Sequence, residues 1–296
     1  MLGGSGGAGA GSGGTAGAGG ASAGSSGKAG AGGAGGSAGG AGGAAGGASK
    51  SAGCGANTSP KSGRYTIESS GMREYVLDVP SNYDPNRAYR LIFAWHWRSG
   101  NANNVVNGSG NASRGPYYGL RALSNGSAIF VAPEGLVDMG VTGWANPGGR
   151  DIRFLQAMMA RFNAELCIDQ DRIFSTGFSY GGMMSIAVGC AGLARAVAPM
   201  AGAAYSGCDA GTRPVAFWGS HAPGDGVVPV ANGRSARDTF VDRNGCATQT
   251  MPTTPSGCVA YQGCDAGYPV TWCEFTGDHY TPDFAPQQVW NFFSQF

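Results

Sequence analysis

The first 53 residues confine any compact fold to the rest of this 296-residue chain. This segment holds 25 of the 56 glycines, and its only charged side chains are those of Lys28 and Lys50. It has too little apolar surface to offset the entropy lost on folding. Glycine does not recur at every third position, which excludes a collagen-like helix. We therefore expect residues 1–53 to form a disordered Gly/Ala/Ser-rich linker, with an assembling Gly-rich structural segment as the alternative.

Residues 54–296 are enough for one α/β domain with a buried core. Continuous apolar runs recur there, as in strands that are covered on both faces of a sheet. Three of them are RLIFAWHW, RIFSTGF and PVAFWGS, at 90–97, 172–178 and 214–220. Helical periodicity lies between the runs, and Asp151 is placed to cap the helix that follows it. This alternation predicts a mostly parallel central sheet flanked by helices.

Charge is nearly balanced, with 19 basic and 18 acidic side chains and a net charge of +1. The sequence contains no basic stripe and no cationic amphipathic helix, so nucleic acid and anionic membrane surfaces are poor partners. No apolar run approaches the length of a membrane span. We therefore expect no nucleic-acid partner and no membrane span, and we also expect a monomer.

All eight cysteines lie within residues 54–296. None forms a C-x-x-C pair, which argues against a zinc site or a thioredoxin-like motif. Their even number predicts up to four disulfides and an oxidising compartment, with reduced, buried cysteines as the alternative; the pairing stays open. We expect a secreted protein, tethered by its N-terminal linker. The opening MLGGSGG, however, has neither the charged nor the apolar region of a signal peptide.

The pattern Gly-x-Ser-x-Gly occurs four times, around Ser5, Ser22, Ser37 and Ser179. A nucleophilic serine in this pattern needs a buried strand before it and a helix after it, because its glycines let the two backbones approach closely. Only Ser179 has that context, between RIFSTGF and YGGMMSIAV. We predict that Ser179 is a catalytic nucleophile, with a tight turn that carries no chemistry as the alternative.

A serine hydroxyl needs a base, and the chain has only three histidines. When a strand–serine–helix turn carries a triad, the nucleophile comes first in the chain, then the acid, then the histidine. His279 follows Ser179 and a suitable acid, on a loop after the last predicted strand, so we predict it to be the base. His221 is interpreted as a local loop partner, and a surface loop histidine is the alternative for His279.

The third member of the triad should be a carboxylate that fixes the imidazole tautomer. Asp225 lies on the loop after the strand run PVAFWGS, from which it can reach His279. Asp209 precedes that strand, and Asp238 lies in a helical stretch. Asp278 adjoins His279 and is expected to point elsewhere. We predict Asp225, with a turn-forming aspartate as the alternative.

The tetrahedral intermediate of acyl transfer requires two preorganised hydrogen-bond donors for its oxyanion. The backbone N–H of Tyr180, directly after the nucleophile, is the first candidate. The second should come from the loop after the strand run RLIFAWHW, where we choose the backbone N–H of Trp97 over that of Arg98. No metal and no cofactor is expected.

The segments GFSYGGMMS, AWHWRSG, GWANPGGRD and TGDHYTP resemble those of the secreted feruloyl esterases of the fungal type-C kind and their bacterial relatives. That group is similar to poly(3-hydroxybutyrate) depolymerase-like proteins and to some acetylxylan esterases. The resemblance covers residues 54–296 and implies an α/β-hydrolase fold. It places the family's triad on Ser179, Asp225 and His279. One departure is Trp97, since relatives often carry glycine after the histidine at this point.

The resemblance implies a hydroxycinnamoyl ester of arabinoxylan, or a small ester, as substrate. Trp97, Trp144 and Tyr180 lie on or near loops that border the nucleophile, and aromatic walls suit a planar phenolic acid. Core packing is the alternative for these aromatic side chains. A polyhydroxybutyrate depolymerase or an acetylxylan esterase is the alternative activity, and a non-catalytic tethered binding module is a further one.

Overall fold

The computed structural model describes residues 49–57, 60–110, 114–208 and 211–296. The predicted linker lies outside the described residues except for its last five positions, 49–53.

Twelve strands are present in the described part of the chain, ten of them in one sheet. In chain order they are β1 (Gly63–Glu68), β2 (Met72–Asp78), β3 (Tyr89–Trp95), β4 (Ala128–Pro133), β5 (Leu136–Asp138), β6 (Val141–Gly143), β7 (Ile168–Phe178), β8 (Ala196–Met200), β9 (Ala216–His221), β10 (Thr250–Thr253), β11 (Cys258–Tyr261) and β12 (Val270–Glu274). The order in the sheet is β1-β2-β4-β3-β7-β8-β9-β12-β11-β10. The six strands from β4 to β12 are parallel, which confirms the predicted central sheet, and the outer strands are antiparallel.

Six α-helices are present in the described residues. They are α1 (Ala102–Asn107), α2 (Leu120–Ser124), α3 (Arg150–Glu165), α4 (Tyr180–Cys190), α5 (Val230–Arg243) and α6 (Ala285–Phe293). Helix α4 is apolar around its whole circumference and almost completely buried against β7 and β8. No helix among the described residues is long and apolar enough to cross a membrane.

Both faces of the sheet carry a core, as the continuous apolar runs predicted. Alternate residues of β3 point to opposite faces, so Ile92 and Ala94 pack in one cluster while Phe93 and Trp95 pack in the other. The first cluster includes aromatic side chains of α6, and the second includes those of α3. Each fully buried large side chain contributes about 1.5–3 kcal/mol, which fixes β3 and its neighbours firmly in place.

Asp151 does not cap α3, contrary to the prediction. The helix begins at Arg150, so Asp151 lies inside its first turn. The residue before the helix is Gly149, which makes no side-chain cap. The Asp151 carboxylate is fully buried and forms an ion pair with buried Arg73, with Oδ1 3.0 Å from Nη2. A partner from a distant strand takes the carboxylate away from the helix end, because an unpaired buried charge is costly.

The predicted boundary at residue 54 falls inside a packed segment. The backbone N–H of Ser51 donates to the carbonyl oxygen of Ile168 at 2.9 Å, and the N–H of Ile168 donates back to Ser51 Oγ at 2.8 Å. The Cys54–Cys167 disulfide follows directly. Contacts with the start of β7 therefore begin before residue 54.

All eight cysteines are paired, as the upper estimate of four disulfides predicted. The pairs are Cys54–Cys167, Cys190–Cys208, Cys246–Cys264 and Cys258–Cys273. The last of these joins β11 to β12, and Cys246–Cys264 joins the segment before β10 to the segment after β11. These two bridges stabilise strands that are too short and too exposed to form a core of their own.

Candidate active site

The turn at Ser179 joins β7 to α4 with no other residue between them. Ser179 has φ 55° and ψ −119°, a conformation that costs about 1–3 kcal/mol and is held only by its surroundings. A Cβ atom on Gly181 would lie 2.0 Å from the carbonyl oxygen of Trp95, and one on Gly177 would lie 2.5 Å from the backbone of Gly181. The two glycines of the pattern are therefore required by backbone contacts, as predicted for a nucleophile turn.

Three predicted side chains meet at the carboxyl-terminal edge of the parallel strands. His279 Nε2 lies 2.8 Å from Ser179 Oγ, and His279 Nδ1 lies 2.7 Å from Asp225 Oδ2. They follow β7, β9 and β12, whose carboxyl ends share one edge of the sheet. The hydroxyl can donate to Nε2 while Nδ1–H donates to the carboxylate. This geometry suits a serine nucleophile, its base and an orienting acid.

N–H groups hold both oxygens of the Asp225 carboxylate. Oδ1 accepts from the backbone N–H groups of Val227 and Val228 at 2.9 and 2.8 Å. Oδ2 accepts from His279 and also lies 3.1 Å from Nε2 of His221. Burial lowers the pKa of His221, so its ring is neutral, and Nε2, which also faces the Val228 carbonyl oxygen at 2.8 Å, carries the proton. The predicted loop partner thus also contacts the acid.

Asp278 joins the two loops that carry the acid and the histidine. Its Oδ1 accepts hydrogen bonds from the backbone N–H groups of Gly226 at 2.9 Å and His279 at 2.8 Å. These two bonds, that from Gly226 first, lower the pKa of the Asp278 carboxyl. The side chain holds the backbone beside Asp225 and is not the partner of the imidazole.

The loop after β3 lies directly against the turn at Ser179. A Cβ on Gly181 would meet the carbonyl oxygens of both Trp95 and His96. The N–H of Tyr180 belongs to the first turn of α4, where backbone donors have no partner within the helix. The two predicted oxyanion donors, Tyr180 and Trp97, are therefore on adjoining segments.

His96 fixes the conformation of this loop. Its Nε2 accepts a hydrogen bond from the N–H of Gly135 at 2.9 Å, so Nδ1 carries the proton and donates to the carbonyl oxygen of Trp97 at 2.7 Å. Burial lowers the pKa of His96 to about 4, which keeps the ring neutral at higher pH.

The prediction that Trp144 contacts substrate is wrong for this structure, because its side chain is 0% exposed. The ring packs edge-on against Trp95, with centroids 4.8 Å apart, and its Nε1–H donates to the carbonyl oxygen of His96 at 2.8 Å. A sequence position near the nucleophile does not reveal burial, which here is decided by packing against β3.

The side chains of Trp97 and Tyr180 are half-buried. The Tyr180 ring lies where a Cβ on Gly143 would be, so the β5–β6 hairpin packs against it. The Trp97 ring lies beneath Gly100 and Gly110, which leave room for it. Tyr180 directly follows Ser179, and both Trp97 and Tyr180 stay predictions as substrate contacts.

Sequence reasoning missed Phe178, the residue before the nucleophile. Its ring centroid lies 4.7 Å from that of His279. The ring shields one face of the imidazole in the described structure. Its apolar position at the end of a buried strand gave no signal beyond core packing. Among the described residues, no cluster of three or more His, Cys, Asp and Glu side chains could hold a metal ion.

Comparison with curated proteins finds close relatives. Feruloyl esterase C from Emericella nidulans is 41% identical over 258 residues, which cover 83% of this chain and 91% of the relative. Feruloyl esterase D from Neurospora crassa is 41% identical over 270 residues, with coverages of 84% and 91%. A scan against protein-family models finds no match.

Two solved esterase structures are similar to this fold. An acetyl xylan esterase from Aspergillus awamori superposes with a TM-score of 0.61 at 14% identity, covering 78% of this chain and 99% of the other. A ferulic acid esterase from Anaeromyces mucronatus, in complex with ferulic acid, gives 0.54 at 16%, covering 80% and 90%. These likenesses show the α/β-hydrolase fold. Together with the identity of about 40% to curated relatives over most of their length, they show that the chain belongs to the feruloyl esterase family.

Proposed function

We propose that this protein is a serine esterase that hydrolyses hydroxycinnamoyl esters, such as the feruloyl esters of plant cell-wall arabinoxylan. The single observation that carries the proposal is the position of His279, within hydrogen-bond distance of both Ser179 and Asp225. The choice of a feruloyl group as the acyl group follows the names of the curated relatives, which are feruloyl esterases. The half-buried rings of Trp97 and Tyr180 support an aromatic acyl group at this edge of the sheet.

In the first half-reaction, Ser179 Oγ attacks the ester carbonyl carbon while its proton passes to His279 Nε2. The carbonyl oxygen becomes an oxyanion, which accepts hydrogen bonds from the N–H groups of Tyr180 and Trp97. Asp225 stabilises the imidazolium ion. The bond to the alcohol oxygen of the sugar then breaks, and Nε2 gives the proton to that oxygen, which leaves as a hydroxyl group.

The second half-reaction releases the acid. Water gives a proton to Nε2 of His279 as it attacks the acyl-enzyme carbonyl. The second tetrahedral intermediate collapses with loss of Ser179 Oγ, which takes the proton back. The products are the hydroxycinnamic acid and free Ser179, so the cycle needs no metal and no redox partner.

We also place this protein outside the cell. Four disulfides support an oxidising compartment, since thiols stay reduced in most cytosols.

Hydrolysis of methyl ferulate by the full chain tests the proposal. Ser179→Ala and His279→Ala should each lower kcat by on the order of 10⁴–10⁶, and the Ser179 variant should lose labelling by a fluorophosphonate. Retained turnover in either variant would contradict the assigned roles. Faster hydrolysis of acetylated xylan or of 3-hydroxybutyrate oligomers than of methyl ferulate would favour the alternative activities instead.

A further inference from the structure

We infer that Trp144 is a positioning residue that aims the second oxyanion donor, the backbone N–H of Trp97. The inference rests on the proposed function. Trp144 Nε1–H donates to the carbonyl oxygen of His96 at 2.8 Å in a fully buried contact. That carbonyl belongs to the same peptide unit as the N–H of Trp97.

The planarity of the peptide bond links the two groups. In a trans peptide the C=O and N–H bonds lie in one plane and point in opposite directions. A hydrogen bond that fixes the direction of the His96 carbonyl therefore fixes the direction of the Trp97 N–H. Trp144 pulls the oxygen toward the core, which turns the N–H to the opposite side of the loop.

A hydrogen bond also fixes the next peptide unit, between Trp97 and Arg98. His96 Nδ1–H donates to the carbonyl oxygen of Trp97 at 2.7 Å, and Gly135 holds the imidazole through Nε2. Side-chain donors therefore hold two successive carbonyls. With both peptides held, rotation of the unit between His96 and Trp97 is blocked.

Trp144 is itself rigidly placed. Its carbonyl oxygen accepts a hydrogen bond from Ser206 Oγ at 2.7 Å, and its ring packs edge-on against Trp95. An oxyanion donor is most effective when it does not have to reorganise during the reaction. The Trp144 indole supplies this rigidity to the loop after β3.

The test compares variants that remove the indole N–H. Trp144→Phe removes the donor and part of the ring, and replacement of Trp144 by benzothienylalanine keeps the ring volume without the N–H. For both we expect a fall in kcat of roughly 10-fold, less than the 10²–10³-fold loss on removing an oxyanion donor itself. KM for methyl ferulate and the Kd of ferulate should change less than twofold. The affinity for an arylboronic acid, which forms a tetrahedral adduct on serine, should fall about 10-fold.

Trp218→Phe is the matched control. Trp218 lies on β9 and is almost completely buried, but its ring packs in the core on the opposite face of the sheet from Trp144. We expect this variant to lose stability and to keep its kcat within about twofold at a temperature where it is folded.

Unchanged kcat and boronate affinity in both Trp144 variants would overturn the inference. An equal fall in kcat in Trp218→Phe would also overturn it, because the effect would then be loss of packing. Failure of the proposed function would be recognised separately, by activity that survives in Ser179→Ala.

Discussion

At the residue scale, the site depends on which nitrogen of each imidazole carries a proton. His279 needs its proton on Nδ1, facing Asp225, so that Nε2 is free to accept from Ser179. His221 and His96 are buried and neutral, and each uses one N–H to hold the backbone near the site. All three histidines of the chain thus contribute to the geometry of the site around Ser179.

Asp225→Asn should lower kcat by about 10⁴ with little change in KM. The Asn oxygen can still accept from Val227 and Val228, so its NH₂ group faces His279 and favours the tautomer with the proton on Nε2. That tautomer cannot accept the proton of Ser179. Steady-state kinetics on methyl ferulate measures the effect, with Asp238→Asn, at an exposed position of α5, as the control. A loss below tenfold would contradict the assignment of the acid.

Acid should destabilise the fold through His96. Its pKa is about 6.5 in the unfolded chain and about 4 in the folded one, so the unfolded state binds more protons below pH 6.5. The stability contributed by neutral His96 is complete above pH 6.5 and is lost as the pH falls to 4. The loss is about 3 kcal/mol, at about 1.4 kcal/mol per pKa unit.

Urea unfolding from pH 7 to pH 4 measures this effect against His96→Gln. Glu134 lies 3.8 Å from the imidazole and also titrates, with its pKa raised by burial, but it is present in both proteins. The variant should lose less stability than the parent over this range. Parallel profiles would show that His96 does not carry the effect.

At the scale of elements, the strand-to-helix turn is the most constrained part of the molecule. The end of β3, the end of β7 and the start of α4 meet there through backbone atoms. Glycine is the only residue type that fits at positions 177 and 181. Backbone groups cannot move aside as a flexible side chain can, so the constraint on sequence is severe.

Gly181→Ala should therefore lower the free energy of unfolding by roughly 3 kcal/mol or more and reduce activity, because its methyl group would meet the Trp95 carbonyl. Gly63→Ala is the control: its Cβ would have nothing nearer than 3.8 Å, and the change should stay within about 1 kcal/mol. Chemical denaturation compares the two. Similar stabilities would contradict the close approach.

At the scale of the whole molecule, the two ends of the parallel strands have different roles. The carboxyl-terminal edge of the parallel strands carries Ser179, Asp225 and His279. The Cys54–Cys167 disulfide lies at the opposite end of β7, on the order of 30 Å away for an eleven-residue strand. Loss of the disulfide can therefore lower the stability of the fold without altering the chemistry at the carboxyl-terminal end of the strands.

Replacing Cys54 and Cys167 by Ala should lower the free energy of unfolding by about 4–5 kcal/mol, since the closed loop spans 113 residues. Replacing Cys258 and Cys273, with a span of 15, should cost about 3 kcal/mol. Guanidinium unfolding gives both values, and kcat should stay within about twofold in the first variant at 25 °C. An equal loss of unfolding free energy in the two variants would contradict the dependence on loop length. A large fall in kcat in the first variant would show that the two ends of β7 are coupled.

Sequence by itself determined the elements whose signals are local. The run into Ser179, its glycines and the helix after it define the turn within a few residues. The chain order of acid and histidine then selected Asp225 and His279, which the structure places within hydrogen-bond distance. The alternation of apolar runs also indicated the parallel sheet, because side-chain periodicity is set by the backbone of each element.

Tertiary structure alone decided which distant partner each side chain takes. Trp144 looks like a rim residue in sequence and is fully buried, and Asp151 looks like a helix cap and pairs with Arg73. The disulfide pairing and the antiparallel β10–β11 edge were equally out of reach. Burial and pairing depend on which surfaces meet when the chain collapses, and no local pattern records that choice.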